Sequence, residues 1–171
     1  MRLEGEAWRA YARNFERSAF RLEVQPTYAM PAEQGSVSRF LAGEAKPPEG
    51  HNAEWHATVR ANVAAGKTMQ RVRVVHEPLT DYQRYGFAWS VPGNVAAGED
   101  IRVLDLTGQP LPPLPTFDFW LYDEKTVARL DYRMDGTQIG RELVEDADLA
   151  QYLEWRDYAL SHSVPFLEYQ H

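Results

Sequence analysis

The sequence predicts a mixed α/β (α+β) fold: one domain over residues 1–171, built on a mixed sheet of five or six strands with packed helices. Three observations lead there. Apolar residues recur at helical spacing in several separate stretches. Other stretches alternate in polarity, or run apolar, over strand lengths. Gly, Pro, Asn and Asp punctuate the two kinds, and 171 residues suit a single core. Residues 1–69 read as a helix-rich half, and 70–171 as a strand-rich half closed by a C-terminal helix.

In the first half, Trp8, Tyr11, Ala12, Phe15 and Ala19 make one helical stripe. "FRLEVQ" (20–25) then alternates, with Phe20, Leu22 and Val24 on one face and Arg21, Glu23 and Gln25 on the other. "MPAEQGSVSRFLAGE" (30–44) predicts a short helix with Val37, Phe40 and Leu41 inward, and "AKPPEGHN" (45–52) a loop. Asn52 is placed to cap a helix carrying Trp55, Val59 and Val63 that ends near Gly66.

In the second half, "RVRVV" (71–75) is a strand. Thr80 and Gln83 have capping-box spacing and open a helix carrying Tyr82, Tyr85 and Trp89, which "VPGN" (91–94) stops. "DIRVLDL" (100–106) is a strand, and "TGQPLPPLP" (107–115) a stiff connection. "FDFWLYD" (117–123) is apolar on both faces, as a central strand is. "TVARLDYRM" and "TQIGREL" flank Asp135-Gly136, a type I′ hairpin signal. Asp146 is placed to cap a last helix carrying Leu149, Tyr152, Leu153, Arg156, Ala159 and Leu160, which "VPF" (164–166) ends.

Composition excludes several classes. Lys and Arg number 18 against 25 Asp and Glu, a formal charge of −7. Such a surface repels phosphates at long range, so no direct nucleic-acid binding is expected. No apolar run reaches the roughly 18 residues of a membrane span. The N-terminus is charged throughout, without an apolar leader core, and cysteine is absent, so the expected location is cytoplasmic.

"GNVAAGED" (93–100) has the glycine spacing of a phosphate loop, but Glu99 and Asp100 stand where that loop needs Lys and a hydroxyl. Two unit charges of like sign at close range repel by about 1 kcal/mol even in water. The segment therefore reads as a capped turn: Asn94 caps it, Gly98 takes a positive φ, and Glu99 pairs with Arg102 or with an Arg of the preceding helix. The five histidines are scattered, and His51 and His56 are five apart, so no metal and no cofactor are expected. "PLPPLP" (110–115) contains P-x-x-P but leads straight into a buried strand, which favours a crossover over a ligand. Asp118 lies among Phe117, Phe119 and Trp120 and must be paired, with Arg102 and Arg129 as the expected partners.

The stretches 71–105, 117–140 and 141–169 resemble an actinobacterial family of domains of unknown function, often encoded beside helix-turn-helix regulators. The runs 94–102 and 118–121 carry most of that resemblance, and the first 69 residues match loosely. A weaker resemblance is to the phospholipase-D-like fold. Its enzymes need H-x-K-x-x-x-x-D, and no histidine here is followed two residues later by lysine. The resemblance therefore implies a fold without the phosphodiesterase motif.

No complete catalytic set is visible. The expected function is a non-enzymatic ligand-sensing or protein-interaction module working with a helix-turn-helix transcriptional regulator. Arg73, Arg84, Tyr85, Trp89, Asn94, Glu99, Arg102, Asp118 and Trp120 are the candidate binding residues for a small anionic or planar ligand or a partner chain. The alternatives are a hydrolase using His76, Glu77 and Asp81 just past a strand end, or a structural homo-oligomer such as a homodimer with Trp89 and Trp120 at its interface.

Overall fold

The computed structural model describes residues 1–47 and 52–169. Three parallel strands form its centre: β1 (Ser18–Glu23), β2 (Thr68–Val75) and β3 (Asp100–Asp105). Parallel neighbours need long crossovers. The first carries α2 (Gln34–Leu41) and α3 (Ala53–Ala64); the second carries α4 (Asp81–Tyr85), a π-helical stretch (Gly86–Ser90) and α5 (Val91–Ala97). α1 (Gly5–Asn14) precedes β1. On the other side of β1, β4 (Asp118–Tyr122), β5 (Thr126–Tyr132) and β6 (Gln138–Val144) form an antiparallel meander. α6 (Leu149–His162) crosses back, and β7 (Val164–Pro165) pairs antiparallel with β3. The order is β6-β5-β4-β1-β2-β3-β7.

The sheet has seven strands, where five or six were expected. The seventh is the "VP" that reads in sequence only as a helix stop. An edge position tolerates the missing proline N–H.

Each sheet face packs its own layer. Phe20, Leu22, Val72, Phe119 and Leu121 meet Tyr152 and Ala159 of α6 on one face. On the other, Ala19, Met69, Trp120 and Leu130 meet Phe15 and Val59, while Ile101 and Val103 meet Phe87 and Val91. Tyr28, Tyr82, Tyr85 and Trp89 form a fourth cluster, packed by Val37 and Phe40.

Several local expectations are corrected. α1 ends at Asn14, so Phe15 and Ala19 pack from the following segment and β1. Leu41 is exposed, and so is Val63. Asn52 occupies the N-cap position of α3 but makes no side-chain cap bond. The loop at 45–52 falls partly outside the described residues. Asp148, not Asp146, caps α6, accepting from Gln151 N. The Thr80–Gln83 capping box forms as expected. "VPGN" does not stop that helix: the π stretch leads into α5, and Pro92 sits in its first turn, where an N–H has no intrahelical partner. The helix ends instead at Gly98, at φ 118°.

The turn expected at Asp135-Gly136 occurs elsewhere. Type I′ needs positive φ at both central residues. Asp123 and Glu124, between β4 and β5, have φ 53° and 58°. The Asp123 carboxylate holds that conformation by accepting from the backbone N–H groups of Glu16, Arg17 and Ser18 at 2.9, 2.6 and 3.0 Å. At the other hairpin only Gly136 is positive, at φ 88°. A Cβ there would lie 2.5 Å from Thr27 O and 2.9 Å from Ala29 N. Gly136 O accepts from Ala29 N at 2.9 Å. The turn thus props the segment that carries Tyr28.

Candidate functional site

Side chains two apart on a strand share a face. On β1 these are Arg21 and Glu23, and on β2 they are Arg71 and Arg73. The parallel register sets Arg21 beside Arg71 and Glu23 beside Arg73. Arg21 also faces Trp120 of β4. The central strands therefore place a square of four charges, three of them guanidiniums, on a sheet face that helices cover.

Carboxylates meet these cations at close range. Asp118, fully buried, accepts from Arg21 Nη2 at 3.3 Å, Tyr28 Oη at 2.7 Å and Val24 N at 2.9 Å. Glu99, 3% exposed, accepts from Arg71 Nε and from Trp55 Nε1. Glu23 Oε1 is shared, 3.4 Å from Arg71 Nη1 and 3.6 Å from Arg73 Nε. Burial by itself would raise the Glu23 carboxyl; Arg73, Arg21 and Arg71 outweigh it and bring it down to about 2. The Arg71 guanidinium packs against both the Trp55 and Trp120 rings, 5.1 Å from each centroid.

Above this square is a cavity of about 420 Å³. Its walls include Arg21, Arg73, Arg141, Tyr28, Tyr82 and Tyr132, with Trp8 and Trp55 among the aromatic groups. Burial pushes the Tyr28, Tyr82 and Tyr132 hydroxyls up, so each keeps its proton at neutral pH. Tyr28 donates to Asp118, and Tyr82 donates to Glu33 at 2.9 Å.

Donors outnumber acceptors here. Arg21 Nε and Arg73 Nε are buried without a hydrogen-bond partner among the described residues. The Tyr132 oxygen accepts from Arg21 Nη2 at 3.2 Å and Gln138 Nε2 at 3.3 Å, and its own proton meets no acceptor among the described residues. Arg141 stacks on Trp8 at 4.8 Å and makes no ion pair among the described residues. Asn94 Oδ1 is held by His56 Nε2 at 2.9 Å, and the residue lines the cavity. The helix also accommodates the site: a Cβ on Gly86, where the π stretch begins, would lie 3.0 Å from Arg73 Nη1. π-helical insertions recur at functional sites.

Of the sequence-predicted residues, the fold gathers Arg73, Tyr85, Asn94, Glu99, Asp118 and Trp120 around this cavity or directly beneath it. The others lie apart. Arg84 is exposed and paired with Asp81. Trp89 is buried against Phe40 and Tyr85, one layer behind the wall. Arg102 lies on the opposite sheet face, level with Val72, and bonds Ser163 Oγ at 3.1 Å. It pairs neither with Glu99 nor with Asp118. Arg129 shares Arg102's side of the sheet, bonding Asp131 and covering the Phe117 ring. Asn94 is buried inside α5 and caps nothing. Trp89 and Trp120 are 6% and 4% exposed, so neither lines the outer surface. His76 and Glu77 are exposed, and among the described residues no hydrogen bond or ion pair joins His76 to a carboxylate. Among the described residues no cluster of metal-ligating side chains occurs; His51 and His171 lie outside them.

Sequence reasoning missed Arg21, Glu23, Arg71, Tyr132 and Arg141. The available signal was "FRLE" beside "RVRV": charged residues at period two within central strands.

The family model "Domain of unknown function (DUF6879)" matches residues 6–171. The chain belongs to this family. The match takes in the helix-rich first 69 residues, which supply Trp8, Arg21, Glu23 and Tyr28 to the cavity. No curated protein matches. Among solved structures, this DUF6879 chain is similar to a phospholipase D family member, Nuc, from Salmonella typhimurium. The TM-score is 0.52 at 9% identity, covering 95% of this chain and 88% of that one. That likeness concerns the fold alone.

Proposed function

We propose that the chain is a non-enzymatic ligand-sensing domain, and that the arginine-lined cavity is where it takes a small anionic ligand. What supports this is the set of buried donors that make no hydrogen bond among the described residues: Arg21 Nε, Arg73 Nε and the Tyr132 proton, all at one cavity. Leaving such groups unmatched costs about 1–3 kcal/mol each, and an anion supplies the missing acceptors. Stability is a poor rival explanation, because well-packed apolar residues often replace a buried ion-pair network at no loss. A hydrolase at His76, Glu77 and Asp81 has no such support, since Asp81 is engaged by Arg84 and, among the described residues, no hydrogen bond or ion pair joins His76 to a carboxylate. In this reading the domain belongs to an actinobacterial cytoplasmic system and reports ligand occupancy to a helix-turn-helix regulator.

The test is a thermal-shift screen of the full chain against a library of anionic metabolites, beside Arg73→Met. Anions that raise the wild-type midpoint but not that of folded Arg73→Met are the expected result. A library that shifts neither protein, or both equally, would refute the proposal.

A further inference from the structure

Resting on the reading above, we infer that the ligand carries a single negative charge on a planar aromatic body, as an aromatic carboxylate does. The charge balance of the site leads there. Arg21 is matched by Asp118, Arg71 by Glu99, and Arg73 by its share of Glu23. Three guanidiniums thus meet three carboxylates. At the rim, Arg141 remains as the surplus cation: half-buried, on the cavity wall, without an ion pair among the described residues. Glu33, the other carboxylate on the wall, accepts from Tyr82 and pairs with no guanidinium among the described residues, so Arg141 is the cation left to meet one incoming negative charge. Each further charge would be buried beside Glu23, Asp118 and Glu33 with no cation left to meet it, and unpaired buried charge is strongly disfavoured.

The walls select the body of the ligand. Trp8 already stacks a planar cation, the Arg141 guanidinium, and Trp55 stacks Arg71. Tyr28 and Tyr132 meet edge to face at 5.0 Å. Rings offered on several sides favour a flat, polarisable group. A cavity of about 420 Å³ has room for one or two fused rings and excludes a larger cofactor. The planar guanidinium fork of Arg141 suits a carboxylate held by two hydrogen bonds.

Four probes test this by calorimetric titration of the full chain: 2-naphthoate, its uncharged isostere 2-naphthamide, acetate and ATP. The naphthoate is expected to bind more than about tenfold tighter than the amide or acetate, and ATP no tighter than the naphthoate. Arg141→Met should bring the naphthoate down to the affinity of the amide and leave the amide unchanged. Arg141 makes no ion pair among the described residues, so this variant keeps the fold, which circular dichroism checks. Equal binding of acid and amide, tightest binding by ATP, an unchanged Arg141→Met, or no binding by any probe would each overturn the inference. Tightest binding by ATP, lost in Arg73→Met, would leave the anion-sensing proposal standing and remove only the charge limit.

Discussion

Glu23→Gln is the sharpest probe of the buried charge square. The substitution keeps shape and removes one charge. Arg71 retains Glu99 and Arg21 retains Asp118, so the loss falls on Arg73, whose one carboxylate within 4 Å among the described residues is Glu23. Two routes give the size. The Glu23 carboxyl is held down from 4.5 to about 2, and at 1.36 kcal/mol per unit that is about 3 kcal/mol. Breaking one side of a buried pair costs about 3–5 kcal/mol. Urea unfolding at pH 7, followed by far-ultraviolet circular dichroism, should therefore show a loss of about 3 kcal/mol. A group whose carboxyl is depressed on folding stabilises above its unfolded value and loses that contribution as pH falls through its folded value. The gap between wild type and Glu23→Gln should be complete above about pH 4.5 and close toward pH 2. Adding Arg73→Met should recover much of the loss, because no lone guanidinium is then left buried. A loss under about 0.5 kcal/mol, or a double variant weaker than Glu23→Gln alone, would refute this account of the square.

Other substitutions separate structural parts from the site. Gly136→Ala forces a side chain onto Thr27 O at φ 88° and should cost about 2–3 kcal/mol in thermal melts. Asp123→Ala removes the acceptor for three backbone N–H groups and should cost about 3 kcal/mol by urea unfolding. The hydrogen bonds to Glu16, Ser18 and Arg17 outweigh burial and hold the Asp123 carboxyl below its ordinary value, so the deficit should shrink in acid. Trp89→Ala should lose about 3–5 kcal/mol, since the ring is buried against Phe40 and Tyr85. Arg84→Ala, which breaks only an exposed pair, should stay within about 0.5 kcal/mol.

The elements were legible where pattern and chemistry are local. The Thr80–Gln83 capping box, the alternation of "FRLEVQ" and the apolar run of "FDFWLYD" all depend on near neighbours. The site was less legible because it depends on what covers a face. The alternation puts Arg21 and Glu23 on the side of the strand they occupy, but nothing in it says that helices bury that side as well. Strand register decided the rest: Arg71 lies level with Ile101, so Arg102 falls on the far face, away from Asp118. Of the two glycines of "GNVAAGED", Gly98 ends α5 and Gly93 lies within it, where a Cβ would come 2.8 Å from the His56 ring. The segment's Glu99, not its backbone, joins the site, through Arg71.

The central claim is that the arginine square serves a ligand. Its most direct test is the arginine Nε–Hε correlation spectrum of the labelled full chain, titrated with 2-naphthoate. Arg102, bonded to Ser163 on the opposite face, is the internal control. The account predicts that the Arg21, Arg73 and Arg141 signals move together and saturate while Arg102 stays fixed. Movement confined to exposed arginines such as Arg9 and Arg13, or none at all, would contradict it.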